Sequence, residues 1–268
     1  SIAVSADGAQ WVLLNASPDL RQQINDNDIL QPKCGLRESP INAVILTNAD
    51  VDHVAGLLNL RESQVFRLYG TTRVLSVLES NPIFNVLNPK FVKRDSMSLE
   101  REIDILGADG LPLGISVVPF SVPGKVALWL EGNSKQDNFG TVDEDTIALE
   151  IREHGTTRFF YMPACARVTE ELAERVDSSD LVFFDGTLWT DDEMIRDGVG
   201  GKTGLRMGHM SVSGEDGTLA SFSSVRAARK VFIHINTTNP ILIADTVERK
   251  MVEGAGWEVA YDGMEIEL

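Results

Sequence analysis

Three apolar runs in this chain end the same way, and that shared ending limits the folds open to it. "INAVILT" (Ile41–Thr47) gives way to Asn48, Asp50, Asp52 and His53. Leu181–Phe184 runs into Asp185-Gly186-Thr187, and Val231–Ile233 into His234 and Asn236. Short runs of β-branched and apolar residues read as buried strands. Helical segments alternate with such runs: "VFRLYG" is followed by "TTRVLSVLES", and "VFIHINTTNP" stands between "GTLASFSSVRAARK" and "ILIADTVERKMVEGAG". "GISVVPFSV", "TIALEIRE", "TRFFYM" and "WEVAY" add further strands, and His53 to Arg61 reads as helix. At the start, Ile2–Ser5, an Asp7-Gly8 turn and Trp11–Asn15 predict a hairpin; Ser17 is the expected N-cap of the next helix, with Pro18 at its first position. This alternation predicts an α/β sandwich of two mixed β-sheets flanked by helices.

In such a sheet the carboxyl ends of strands hold ligands, because the loops there are free to carry function. The chain has four histidines. His53 and His234 stand at strand ends, His209 lies in the Gly-rich stretch "GGKTGLRMGHMSVSG", and His154 sits in an ordinary exposed turn. Each has a plain alternative. Asp50 or Asp52 could simply cap the helix that begins near His53, and a lone strand-end histidine is commonly a satisfied core or surface residue. Together, an adjacent Asp-His pair and a strand-end histidine offer two imidazoles and one carboxylate. That set leaves coordination positions open, as in non-haem Fe(II) oxygenases.

Composition removes several other classes. The 268 residues are 43% hydrophobic, enough for a full core, and no linker, repeat or low-complexity tract divides them, so a single domain over 1–268 is expected. The formal charge of −16 argues against nucleic-acid binding, which needs a basic face. No apolar run reaches the ~18 residues of a membrane span. Cys34 and Cys165 form no CxxC pair and no disulfide framework, which suits a reducing cytoplasm. "DGVGGKTG" lacks P-loop spacing, so no nucleotide cofactor is expected, and there is no GxSxG elbow. "SKQDNFGTVDEDT" reads as a solvated polar loop that could also serve as a lid. The opening "SIAVSADG" is already strand-like, without a Met or leader, so a preceding segment is expected to be missing.

"LTNADVDHVAGLL" resembles the HxHxDH metal motif of the metallo-β-lactamase superfamily with its first two histidines replaced. With "FFDGTLWTDDEM", "MGHMSVSG", "HINTTNPIL" and "VAYDGMEIEL", the whole chain resembles the pyrroloquinoline quinone (PQQ) biosynthesis protein B family. The resemblance implies a metallo-β-lactamase-like αβ/βα sandwich. It also implies a further strand and a structural-zinc cysteine cluster ahead of Ser1, neither of which this sequence carries. Asn48 and Asp50 stand where the first metal's histidines would be, as possible ligands or second neighbours only, and Pro163 stands where a bridging Asp is expected. Asp52 and His53 match the second-site pair and His234 the late histidine ligand. His209 resembles the proton-transferring histidine of the phosphodiesterase branch, with Asp185 as its partner.

The resemblance and the residue count therefore lead to one divalent metal, Fe(II) favoured and Zn possible, held by Asp52, His53 and His234. A hydrolytic two-metal clamp needs more ligands than remain. The activity that the family resemblance implies is O2-dependent hydroxylation of the tyrosine-derived ring of a cross-linked Glu–Tyr intermediate. His209 and Asp185 would carry the proton, and Arg206, Lys202 and Asn236 would meet the carboxylates of this amino-acid-derived quinone precursor. Alternatives are a non-catalytic carrier of PQQ or its precursor and a metal-dependent hydrolase; a homodimer is compatible with each.

Overall fold

The computed structural model describes residues 1–33, 35, 38–125 and 141–268. These gather into two compact units, one of residues 1–119 with 152–156, the other of the remaining described residues. Each has its own core.

The first unit opens with the expected hairpin, β1 (Ile2–Val4) antiparallel to β2 (Trp11–Leu14). β3 (Ile41–Ile45), β4 (Phe66–Thr71) and β5 (Val92–Met97) then join in parallel, giving the order β1-β2-β3-β4-β5. α1 (Leu20–Asp26), α2 (Val51–Val54) and α3 (Thr72–Ser80) belong to this unit. Leu13, Val44, Leu46 and Leu68 pack with Leu20, Val54, Leu57, Val74 and Leu78. Fully burying each such side chain is worth about 1.5–3 kcal/mol.

The second sheet is β12-β11-β10-β9-β8-β7-β6. Its members are β6 (Ile103–Leu106), β7 (Pro112–Gly124), β8 (Thr141–Glu153), β9 (Thr156–Met162), β10 (Leu181–Asp185), β11 (Arg229–Ile233) and β12 (Glu258–Val259). β9 to β12 run parallel and β6 is antiparallel to β7, so both sheets are mixed, as the strand–helix alternation predicts. The helices of the second half are α4 (Glu170–Val176), α5 (Glu193–Arg196), α6 (Gly204–Met207), α7 (Thr218–Ser221) and α8 (Val247–Gly254). Every residue of β10 is buried, which explains its unbroken "LVFFD". Phe232 stacks on Trp257 at 4.1 Å, and Phe184 meets Phe222 edge-on at 4.9 Å. Two of these rings, Phe184 and Phe232, stand on the strands whose ends carry Asp185 and His234.

Four expectations about helices are corrected. The first helix starts at Leu20 with Asp19, not Ser17, at its N-cap position and no side-chain cap bond, and the Ser17 hydroxyl lies 3.2 Å from that of Ser1. His53 to Arg61 holds only the end of α2, a single turn, followed by a 3-10 segment Ala55–Leu60. The His53 carbonyl accepts from Ala16 N at 2.7 Å, which competes with continuation of the helical ladder. "GTLASFSSVRAARK" is helical only at Thr218–Ser221. Its last residues are drawn into β11, where Arg229 and Lys230 register with Leu181 and Val182. The last helix begins at Val247, not at Ile241, because Thr246 Oγ1 accepts from Arg249 N (3.1 Å) and caps it there. Of the polar run 134–146, the part up to 140 lies outside the described residues, and from Thr141 on it belongs to β8.

Candidate metal centre

In the second unit, the parallel register of β10 and β11 places Asp185 beside Ile233, one residue before His234. The chain then leaves each strand in a controlled way. Gly186 N donates to Ile233 O (2.8 Å) and Asn236 N to Thr187 O (3.1 Å). Asn239 is buried and ties both loops together. Its Nδ2 donates to Gly186 O at 2.8 Å, and its Oδ1 accepts from Ile241 N at 3.1 Å. His234 itself has φ +53°, a left-handed conformation unusual for a non-glycine residue. His209 arrives from α6, which Thr203 caps and Gly208 terminates in the left-handed region (φ +88°). A side chain at Gly208 would also sit 2.9 Å from Lys125 Cγ.

These loops bring Asp185, His209 and His234 together, their candidate ligand atoms all within 4.8 Å of one another. Asp185 is fully buried. Its Oδ2 accepts from Cys165 N (3.0 Å) and His209 Nδ1 (2.6 Å), and its Oδ1 accepts from Thr187 N (3.0 Å) and Thr187 Oγ1 (2.6 Å). Burial pushes the Asp185 carboxyl up, but the neighbouring His209 and His234 and the Thr187 hydroxyl outweigh it and hold it below the ordinary carboxylate range. With four donors on two oxygens, Asp185 is built to orient the imidazoles from behind, the usual partner of a metal-ligating histidine. The two rings lie nearly parallel, 18° apart, with centroids separated by 5.1 Å.

Thr187 and Asn239 help to fix these loops and rings, and pattern reading gave neither a role. Thr187 belongs to the strand-end Asp185-Gly186-Thr187, and the available signal was a hydroxyl two residues after the carboxylate. Asn239 had none. Asn236, expected to meet substrate, donates its amide to Thr238 Oγ1 (2.9 Å) and Met194 Sδ (3.0 Å), so it braces the loop in this structure. Glu193 is buried beneath that loop, accepting from Trp189 N (2.7 Å) and the Thr238 hydroxyl. Lys202 and Arg206 lie next to and on α6, Arg206 exposed. Cys165 contributes its backbone only: burial pushes its thiol up to about 12, so it is no nucleophile. After β9 stand Pro163, Ala164 and Cys165, and no carboxylate.

The first unit holds the other predicted residues, on the loop after β3. Asn48 is buried and its Oδ1 accepts from Asp50 N (3.0 Å), closing an Asx turn into α2. Asp50 stands at the N-cap position without a side-chain cap bond, Asp52 is exposed and His53 buried. The loop is fixed mainly through its main chain. Asn15, in the left-handed region at φ +62°, donates from Nδ2 to Thr47 Oγ1 (2.8 Å) and accepts from Thr47 N (2.9 Å). Ala16 N donates to His53 O, and Gly56 N to Ala16 O (2.8 Å).

A family model for the β-lactamase superfamily domain matches residues 10–235. The coenzyme PQQ synthesis protein B of Xanthomonas euvesicatoria pv. vesicatoria is 52% identical over all 268 residues, 87% of that protein. This chain belongs to the coenzyme PQQ synthesis protein B family. The crystal structure of Zn2+-bound PqqB from Methylobacterium extorquens matches with a TM-score of 0.92 at 50% identity, over 99% of this chain and 86% of that one. A diphosphatase of the PhnP family matches at a TM-score of 0.65 with 18% identity, over 98% and 80% of the two chains, and shows the metallo-β-lactamase fold alone. The fold and family expected from the motifs are thus found; the cluster able to hold a metal is Asp185, His209 and His234, of which only His234 was expected as a ligand. Among the described residues no helix is long and apolar enough to cross a membrane.

Proposed function

We propose that this member of the PQQ synthesis family is an O2-dependent hydroxylase of the tyrosine-derived ring in a cross-linked Glu–Tyr intermediate, working in the cytoplasm with one Fe(II). The observation that supports the reading is the cluster of Asp185, His209 and His234, in which His234 is the proposed ligand and Asp185 with His209 the proposed proton-handling pair. Among the described residues one group of histidines and carboxylates can hold a metal, and the position after β9 that would bridge a second holds Pro163. A hydrolytic two-metal centre needs more ligands.

The donor chemistry fits a divalent ion of the Fe/Zn kind: imidazoles backed by a buried carboxylate and a hydroxyl. His234 is the ligand from this cluster, and the motif resemblance adds Asp52 and His53. Bound there, Fe(II) would supply O2 activation, while the protein supplies orientation and proton delivery. His209 Nε2, its ring turned by Asp185, is the atom that takes up or returns a proton at the substrate ring. Lys202 and Arg206 supply local positive charge for the precursor's carboxylates, which a chain of net charge −16 otherwise repels. Zinc in the relative is consistent with this set, because Zn2+ outcompetes Fe2+ at N/O ligands; the zinc form is then expected to be inactive toward O2.

The test is anaerobic reconstitution of the metal-free chain with Fe(II), followed by O2 uptake with and without the Glu–Tyr intermediate. Substrate-dependent O2 consumption with a hydroxylated product is expected. Binding without consumption would favour the carrier, and zinc-dependent hydrolysis of a model ester would favour the hydrolase.

A further inference from the structure

Thr187 Oγ1 stands at the centre of the cluster with one proton to give and four polar neighbours. Asp185 Oδ1 is 2.6 Å away, His234 Nδ1 2.9 Å, His234 O 3.0 Å and His209 Nδ1 3.1 Å. The positions decide where that proton goes. Asp185, ionised, can only accept, and an oxygen–oxygen distance of 2.6 Å without a shared proton would set two acceptors against each other. The Thr187 proton therefore lies toward Asp185 Oδ1. Having spent it, Thr187 can only accept from His234, so His234 carries its proton on Nδ1. His209 Nδ1, 2.6 Å from Asp185 Oδ2, donates to that oxygen by the same reasoning. Both neutral rings are thus Nδ1–H tautomers, with their acceptor lone pairs on Nε2. In water a free histidine ring prefers its proton on Nε2, so the network reverses the ordinary preference.

We propose that Thr187 is a positioning residue that sets the tautomer of His234, relaying the charge of Asp185 to that ring through its hydroxyl. A single buried carboxylate prepares two imidazoles in this way, His209 directly and His234 through the hydroxyl. His234 makes this contact from a backbone in the left-handed region, at φ +53°. The tautomer assignment stands on these distances alone; its consequence for metal affinity rests on the single-metal reading above.

The experiment is 15N NMR of the histidine rings in the metal-free full chain, followed upward in pH until the ring signals stop moving, so that the tautomers are read on neutral rings. The wild-type spectrum is expected to show Nδ1–H for both His209 and His234. In Thr187→Val, His234 is expected to move toward Nε2–H while His209 keeps Nδ1–H, and Thr187→Ser is expected to restore the wild-type pattern. A wild-type His234 found as Nε2–H overturns the proposal before any variant is made, and so does a His234 signal that Thr187→Val leaves unchanged. Should the valine variant fail to fold, Thr187→Ala is read in its place. Zn2+ affinity, measured by competition with a chelator, is expected to fall about 10–100-fold in Thr187→Val and to recover in Thr187→Ser. A shifted tautomer with unchanged Zn2+ affinity would leave the tautomer assignment in place and count against His234 as a ligand.

Discussion

The loop after β3 and the loops after β10 and β11 carry similar residue types, yet they are held in different ways. In the first unit the main chain is pinned: Asn15 grips Thr47, Ala16 holds the His53 carbonyl, and Gly56 lies against Ala16 and Ser17. In the second unit the side chains themselves are fixed, ring nitrogen by ring nitrogen, by Asp185 and Thr187. A strand-end carboxylate can therefore end as an exposed group on a pinned loop, as Asp52 does, or as a buried director of other groups, as Asp185 does. Its burial and its donors decide which.

The comparison can be broken from either side. The largest effect is expected from Asp185→Ala, which leaves Cys165 N, Thr187 and His209 without their shared acceptor. A loss of about 3–5 kcal/mol in urea unfolding is expected, as for a buried charge network that loses one partner. Gly56→Ala comes next, since a Cβ there would lie 2.2 Å from Ser17 O and force the backbone apart. A cost of about 1–3 kcal/mol is expected, with the His209 and His234 tautomers unchanged. Asn15→Ala should cost a similar or slightly smaller amount, roughly 1–3 kcal/mol, by leaving buried Thr47 unsatisfied; an effect within error would mean that the main chain alone holds this loop.

The smallest effect belongs to the half-exposed Arg229–Glu258 pair, bonded twice at 2.8 Å. The Arg229 side chain holds the Glu258 carboxyl below its ordinary 4.5. A lowered folded-state pKa gives stability that is present above 4.5 and lost as pH falls below it. Glu258→Gln should therefore narrow its gap to wild type in acid unfolding below about that pH, by well under the buried-site effects. A gap that widened on acidification would reverse the sign.

Much of this was legible in the sequence for physical reasons. "LVFFD" and "VFI" are buried throughout and "INAVILT" at every position but Asn42, so they read as strands without help. The polar clusters at their ends marked Asp185 and His234 because register and strand direction follow from the same runs. The helix errors arose where tertiary contacts overrode local propensity: Ala16 taking the His53 carbonyl, and β10 drawing Arg229 and Lys230 into a strand. Asn48, read as the relic of a lost ligand, turns out to close a turn, work that the single sequence could not separate from ligation. Thr187 was missed because a hydroxyl two residues from a carboxylate is common, and only the arrival of His209 from a distant loop gives it meaning.

The central claim is one metal per chain with His234 among its ligands and His209 reserved for the proton. Metal content after equilibrium dialysis against Fe(II) or Zn2+ tests it most directly, on wild type, His234→Ala and His209→Ala, each checked for folding. About one ion per chain is expected for wild type and for His209→Ala, and none for His234→Ala. Full occupancy in His234→Ala, or its loss in His209→Ala, would contradict the account.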